Sequence, residues 1–326
     1  RGPVFIQGDH FQINHKKYLA DPKAELKVVL DLTREALASG FYNIDVDTST
    51  LVDLDKPTHR EQQDVNGKLC AAITSYIRQH EPDGVTVSVG GEIGEVGGKN
   101  STAEELEAFV EVFNAELAKL APGKPGMSKI SIQTGTSHGG VPMPDGTVAK
   151  VKLDFDTLEA LSKLSREKYG FAGAVQHGAS TLPSELFGEF AKRGACEIHL
   201  ATEFQNMIFD SPAFPADLKK AIYDELRVSE AADRKPTDTD EQFFYKVRKK
   251  ALGGRKEQLW GMPEAARQAI GQALEDRFTF LLTQLQTQGT REVAAKFAPF
   301  VPGSFPVFES TVGAVKGPED VTGLSD

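Results

Sequence analysis

Four β-prone runs in this chain each lead to a side chain that can bind a metal, and that repetition restricts the fold more than anything else in the sequence. The runs are Val4-Phe5-Ile6-Gln7-Gly8-Asp9-His10, Val85-Thr86-Val87-Ser88-Val89 leading to Glu92, Ile130-Ser131-Ile132-Gln133 leading to His138, and Ala172-Gly173-Ala174-Val175-Gln176-His177. Apolar and β-branched residues favour strands. Glycines follow the last three runs, most densely in Gly91-Glu92-Ile93-Gly94-Glu95-Val96-Gly97-Gly98. A strand that ends in a functional group and then a glycine-rich loop delivers that group to the carboxyl edge of a parallel sheet. Three imidazoles and one carboxylate delivered in this way suggest a single metal centre, and the donor set suits zinc.

The segments between these runs read as helices. Asp21-Pro22 is an N-cap with proline at the first helical position, and an amphipathic stretch through Leu37 ends at Gly40. Further helices are expected over Arg60–His80, from a capping box at Ser101-Thr102-Ala103-Glu104 through Phe113, over Phe155–Tyr169 closed by Gly170, and over Pro183–Arg193 stopped by Gly194. Strands are expected at Val4–Ile6, Phe41–Asp47, Val85–Val89, Ile130–Gln133, Ala172–Gln176 and Cys196–Leu200. Such alternation implies parallel βαβ units. Convergence of four strand ends on one ion favours a (β/α)8 TIM barrel over a doubly wound sheet. Six strands are too few to close it, and the chain begins without Met inside the first run, so the expectation is that the first strand or strands of the barrel are lacking.

Residues 1–210 are read as the barrel core. Residues 211–326 are read as a helical segment that completes and decorates it, with helices at Pro215–Leu226, Glu241–Leu252 and Pro263–Leu285 and an irregular tail after Pro299. A net charge of −10 over 326 residues argues against a nucleic-acid binder or a polybasic membrane protein. No run approaches the ~18 apolar residues of a membrane span, and no signal-peptide pattern is visible. Two cysteines, Cys70 and Cys196, fit free thiols in a cytoplasmic protein.

Thr136-Ser137-His138-Gly139-Gly140 and His177-Gly178-Ala179-Ser180 expose backbone amides ahead of a helix, which suits a phosphate cradle or, equally, a serine-capped tight turn. The basic run Tyr245–Lys250 with Arg255-Lys256 reads as a solvated helix face or a second phosphate site. Trp260, Phe278 and Phe280 read as core or subunit contact.

The order Asp-His, Glu-Ile-Gly-x-x-Gly-Gly, Gly-Thr-Ser-His-Gly and His-Gly-Ala-Ser resembles the class II, zinc-dependent fructose-bisphosphate aldolases over about Val4 to Phe204. The resemblance implies a lyase of carbohydrate metabolism and glycolysis that reversibly cleaves a ketose bisphosphate. Fructose 1,6-bisphosphate leads, giving dihydroxyacetone phosphate and an aldehyde such as glyceraldehyde 3-phosphate through a zinc-stabilised enediolate. It implies His10, Glu92, His138 and His177 as zinc ligands and Asp9 as the acid that handles the hydroxyl proton. Gly139, Gly178, Ser180 and Thr202 become the phosphate site, and Asp47 and Ser49 a second metal or structural pair. A monovalent cation near the phosphate and a homodimer or higher homo-oligomer follow from the same resemblance.

The chain departs from the family at Gln7, where a histidine is usual. Lys99-Asn100 replace the loop acids, which leaves the second base missing or supplied by Glu104 or Glu105. His199 and Ala201 replace an Asn and an Asp at the ketose end. The alternatives are another zinc-dependent lyase or hydrolase on the same barrel, or a non-catalytic zinc-binding relative.

Overall fold

The computed structural model describes residues 4–94, 99–136, 143 and 153–299. Along the chain these form β1 (Gln7–Gln12), α1 (His15–Ala20), α2 (Pro22–Ala38), β2 (Asn43–Asp47), α3 (His59–Gln62), α4 (Asp64–His80), β3 (Ser88–Glu92), α5 (Ala103–Leu120), β4 (Lys129–Ile132), α6 (Phe155–Tyr169), β5 (Ala174–Gln176), α7 (Phe187–Lys192) and β6 (Glu197–Ile198). Helices follow: α8 (Thr202–Phe209), α9 (Ala216–Ser229), α10 (Asp240–Val247), α11 (Ala251–Gly254), α12 (Lys256–Trp260), α13 (Glu264–Gln284) and α14 (Arg291–Phe297).

The six strands pair in chain order, every neighbour parallel. A flat sheet of this order would separate β1 from β6 by about 24 Å at ~4.8 Å per strand. Instead the Gln7 amide on β1 donates to Glu197 Oε2 on β6 at 3.2 Å. The sheet is therefore curled into an arc, and the inward side chains of its first and last strands meet near the axis. Six parallel strands in such an arc are consistent with part of a barrel.

The inner face is polar and the outer face apolar, which follows from the two-residue period of a strand. Inward on β2 lie Asp45 and Asp47, and inward on β4 lie Lys129 and Ser131, with Gln133 just past the strand's end. Outward, Ile44, Val46, Ile130 and Val89 pack with Phe109, Phe113, Ile73 and Ile77 of the covering helices. A second cluster, Phe209, Phe214, Ile222, Leu226, Phe243, Phe244, Val247, Ala251 and Ile270, is confined to the later helices.

Several boundaries move from their sequence-based positions. Val4 to Ile6 are exposed and precede the first strand, which begins at Gln7. The β3 strand runs to Glu92 rather than stopping at Val89, because Ser88 to Gly91 find ladder partners on β2 and Gly90 to Glu92 on β4. The capping box is Thr102 with Glu105, one residue later than expected, since Ser101 Oγ is taken by the Gln133 amide. The expected helix over Pro183–Arg193 opens as a 3-10 turn, Ser184–Leu186, before α7. The tail from residue 300 lies outside the described residues.

Candidate metal centre and acid site

Asp9 and His10 are adjacent, so an ideal strand would send them to opposite faces. The pairing of β1 with β2 advances from Gly8↔Ile44 to Phe11↔Val46, three steps on one strand against two on the other. This is a β-bulge, and His10 absorbs it with a left-handed φ of 48°. Backbone strain of this kind costs on the order of 1–3 kcal/mol and persists where the surroundings enforce it. The bulge turns both side chains inward, to Asp47 and Glu92 for His10 and to His199 for Asp9. Gly8 is part of the device, because a Cβ there would sit 2.2 Å from the Phe11 ring.

His10, Glu92 and His177 converge: a ligand atom from each lies within 4.8 Å of the others. His10 Nδ1 is 2.9 Å from Asp47 Oδ2 and 3.5 Å from Glu92 Oε2. Asp47 is itself fixed by the Ser49 amide at 3.0 Å, the Ser49 hydroxyl at 2.7 Å and the Gln12 amide at 2.5 Å. Burial would raise the Asp47 carboxyl, but its bonds to His10, Ser49 and Gln12 hold it below the usual carboxylate range. A carboxylate that orients a ligating imidazole in this way is the common second partner of a metal histidine. Glu92 accepts from the Gln133 amide at 3.2 Å, and His177 Nε2 lies 3.1 Å from Ser131 Oγ. Two imidazoles and one carboxylate, each buttressed, match the protein-ligand number of a catalytic zinc site with a position left for water or substrate. The donor set therefore fits a divalent cation. His138 and Gly139, the other candidates on that edge, lie outside the described residues.

Asp9 faces a third imidazole. His199 Nδ1 is 3.0 Å from Asp9 Oδ1, and its Nε2 is 3.1 Å from Glu197 Oε2. The rings of His10 and His177 lie 4.6 Å apart and those of His177 and His199 4.4 Å apart, centroid to centroid. Burial acts to raise the Asp9 carboxyl, yet the hydrogen bond and charge of His199 hold it far below the usual carboxylate range. Burial likewise acts to lower His199, but Asp9 and Glu197 push it up to about 9. Beneath this pair Lys129 Nζ sits 2.8 Å from Asp45 Oδ1 and 2.5 Å from Glu197 Oε2. Burial would depress the ammonium, and the two carboxylates outweigh it, so its pKa stands above the ordinary lysine value. Asp45, Lys129 and Glu197 come from β2, β4 and β6, alternate strands supplying one layer as in a barrel interior. Gly90 leaves the room, since a Cβ there would meet Asp45 Oδ1 at 2.3 Å.

The phosphate candidates are partly brought together. Gly178 has a left-handed φ of 69°. Ser180 Oγ accepts from the Ala201 amide at 3.2 Å, which sets it beside Thr202 at the start of α8. Among the proposed bases, Glu105 is committed to its capping box and to Lys99 at 2.6 Å, while Asn100 donates to Asp154 at 2.9 Å. The basic run is structural. Lys246 pairs with Asp238, Lys250 with Glu230 and Asp233, Arg255 with Glu225, and buried Arg248 with Asp210 and Asn206. Trp260 is 69% exposed and so is not core, whereas Phe278 stacks on Phe204.

Asp45, Lys129 and Glu197 are absent from the sequence-based site, and His199 entered it only as a replacement at the ketose end. A signal existed: Asp45/Asp47 and Glu197/His199 are polar residues two apart, which a strand points to one face.

A Sinorhizobium meliloti structure described as a probable tagatose 6 phosphate kinase aligns at TM-score 0.54 and 16% identity, covering 90% of this chain and 73% of that one. A fructose-bisphosphate aldolase from Campylobacter jejuni aligns at TM-score 0.43 and 17% identity, over 86% of this chain and 70% of that one. The Sinorhizobium likeness speaks to fold alone. The family profile described as fructose-bisphosphate aldolase class-II spans residues 1–278, which takes in every strand of the arc and every residue of the site described above. The chain belongs to the class II fructose-bisphosphate aldolase family.

Proposed function

We propose that this protein is a metal-dependent aldolase that cleaves a phosphorylated ketose, with fructose 1,6-bisphosphate the leading candidate. The observation that carries the reading is the convergence of His10, Glu92 and His177, with Asp9 reaching the same His177 through its own cluster with His199. His10, Glu92 and His177, with His138 as a fourth candidate, would hold zinc, which when bound supplies a Lewis acid for the substrate ketone. Asp47 and Gln133 orient two of those ligands. In the cleavage direction Asp9 accepts the proton of the hydroxyl on the carbon that becomes the aldehyde. As that oxygen forms its double bond, the adjacent carbon–carbon bond breaks and its electron pair passes to the ketone-bearing half. Aldol addition reverses the same steps, with Asp9 returning the proton.

Ser180, Gly178 and the first amides of α8 at Thr202 are assigned to the phosphate of the ketose half, supported by the Ser180–Ala201 bond that draws the two segments together. On the same reading the arc of strands is part of an eightfold barrel, and the enzyme is a cytoplasmic homo-oligomer. The test is a coupled assay for triose phosphate released from several ketose phosphates, with and without chelator. Turnover that chelation abolishes and zinc restores is expected. Turnover of no ketose phosphate by zinc-loaded protein would contradict the proposal.

A further inference from the structure

At the ketose end, where the resemblance implies an Asn, stands His199, and its ring faces carboxylates inside the arc. Nδ1 lies 3.0 Å from Asp9 Oδ1 and Nε2 3.1 Å from Glu197 Oε2, so both nitrogens face carboxylates inside the arc. Glu197 cannot drift, because Lys129 holds it, and Lys129 also grips Asp45 on the opposite side of the axis. Asp45 in turn accepts from Gln7 at 2.8 Å, two residues before Asp9 on the same strand. Asp9 is the most exposed member, its side chain 42% accessible, while His199 is 12% and Lys129 2% accessible. The arrangement is a column that runs from a buried ammonium through a carboxylate and an imidazole to Asp9, the most exposed carboxylate of the group.

We propose that His199 is a positioning residue that fixes the Asp9 carboxylate through Nδ1, braced through Nε2 by the Asp45–Lys129–Glu197 layer. A carboxylate on a bulged strand has several rotamers open to it, and a second contact from β6 selects one. Misplacing a proton acceptor by about 1 Å can cost roughly 10²-fold in rate. Replacement of the family's Asn and Ala201's usual Asp then has a physical meaning. The corner gives up polar groups that would face the substrate, and His199 becomes support for the acid instead.

The activity arm of the test rests on the aldolase reading; a spectroscopic arm does not. In zinc-free protein labelled with nitrogen-15 at histidine, the His199 Nδ1–H proton facing Asp9 should appear far downfield, distinct from those of His199 Nε2–H toward Glu197 and of His10 toward Asp47. It should vanish in His199→Asn, shift in Asp9→Asn, and stay in His59→Ala. An unshifted signal in Asp9→Asn overturns the proposal whether or not a substrate is known. With a substrate in hand, His199→Leu should lower kcat roughly 10²-fold with KM and zinc content little changed. His199→Asn, which keeps an amide near the Nδ1 position, should recover part of that loss, and His199→Gln, which mimics Nε2, should not. In the Asp9→Asn background the His199→Leu change should cost little more. Full additivity of the two losses, or rescue by Gln alone, would overturn the positioning role. Absence of turnover in the parent protein would count against the aldolase reading and leave the spectroscopic arm to decide this one.

Discussion

Lys129 and Arg248 are both buried cations, and they do different work. Lys129 lies at the axis of the strand arc between Asp45 and Glu197, while Arg248 lies among the later helices between Asp210 and Asn206, over the rings of Phe209 and Tyr245. The carboxylates of Lys129 are themselves buried or half-buried and lead through His199 to Asp9. The carboxylate of Arg248 is 55% exposed and leads back to solvent, and the ring contacts tie α8 to α10. One cation supports a reactive group; the other fastens helices. Buried charge by itself is therefore no sign of function, and what decides is where its hydrogen-bonded chain ends.

The largest expected effect separates the end of that chain from everything else. Asp9→Asn should lower kcat by roughly 10²–10⁴ while zinc content stays at the parent level; lost zinc would move Asp9 into the ligand set. Next in size, Lys129→Met leaves two carboxylates facing each other in the interior and should cost about 3–5 kcal/mol in denaturant unfolding. Arg248→Met should cost less, about 1–2 kcal/mol, because Asp210 can rehydrate. Turnover per folded molecule should fall for the first and hold for the second. Equal losses of activity would erase the contrast between the two regions.

The pH dependence should also divide them. His199 is raised from an ordinary 6.5 to about 9, so its contribution to stability is complete below 6.5 and is lost as pH rises through 9. Asp210 is lowered from an ordinary 3.8: burial opposes this, and the Arg248 hydrogen bond and charge prevail. Its contribution is complete above that value and lost as pH falls below it. In zinc-free protein, His199→Gln should remove the alkaline loss and Asp210→Asn the acid one, read from urea midpoints across pH. The smallest effect is shared. Thr102 and Thr239 each close a capping box, with Glu105 and Gln242, and either change to Ala should cost about 1 kcal/mol without altering turnover.

Much of the strand-and-helix order was legible because periodicity and capping are local. Pro22 and Asp21 at the start of α2, and Gly170 with its left-handed φ of 72° at the end of α6, act within a few residues of themselves. Asp9, His10, Glu92 and His177 could be picked out because each ends a run. The bulge at His10 could not, since it depends on Phe11 lying against Gly8 and on a register with β2. Nor could the layer of Asp45, Lys129 and Glu197, whose members are 84 and 68 residues apart in the chain by their numbering. The ion-pair partners of the basic run near Arg248 were hidden for the same reason, because Asp210, Glu225, Glu230 and Asp233 lie on distant segments.

The most direct test of the central claim is a zinc titration of chelator-stripped protein, followed by triose phosphate release from a ketose phosphate. The account predicts turnover that rises with added zinc, saturates near about one equivalent per chain, and is absent in His177→Ala at every zinc concentration. Full turnover by the stripped protein, or a His177→Ala variant that titrates like the parent, would contradict it.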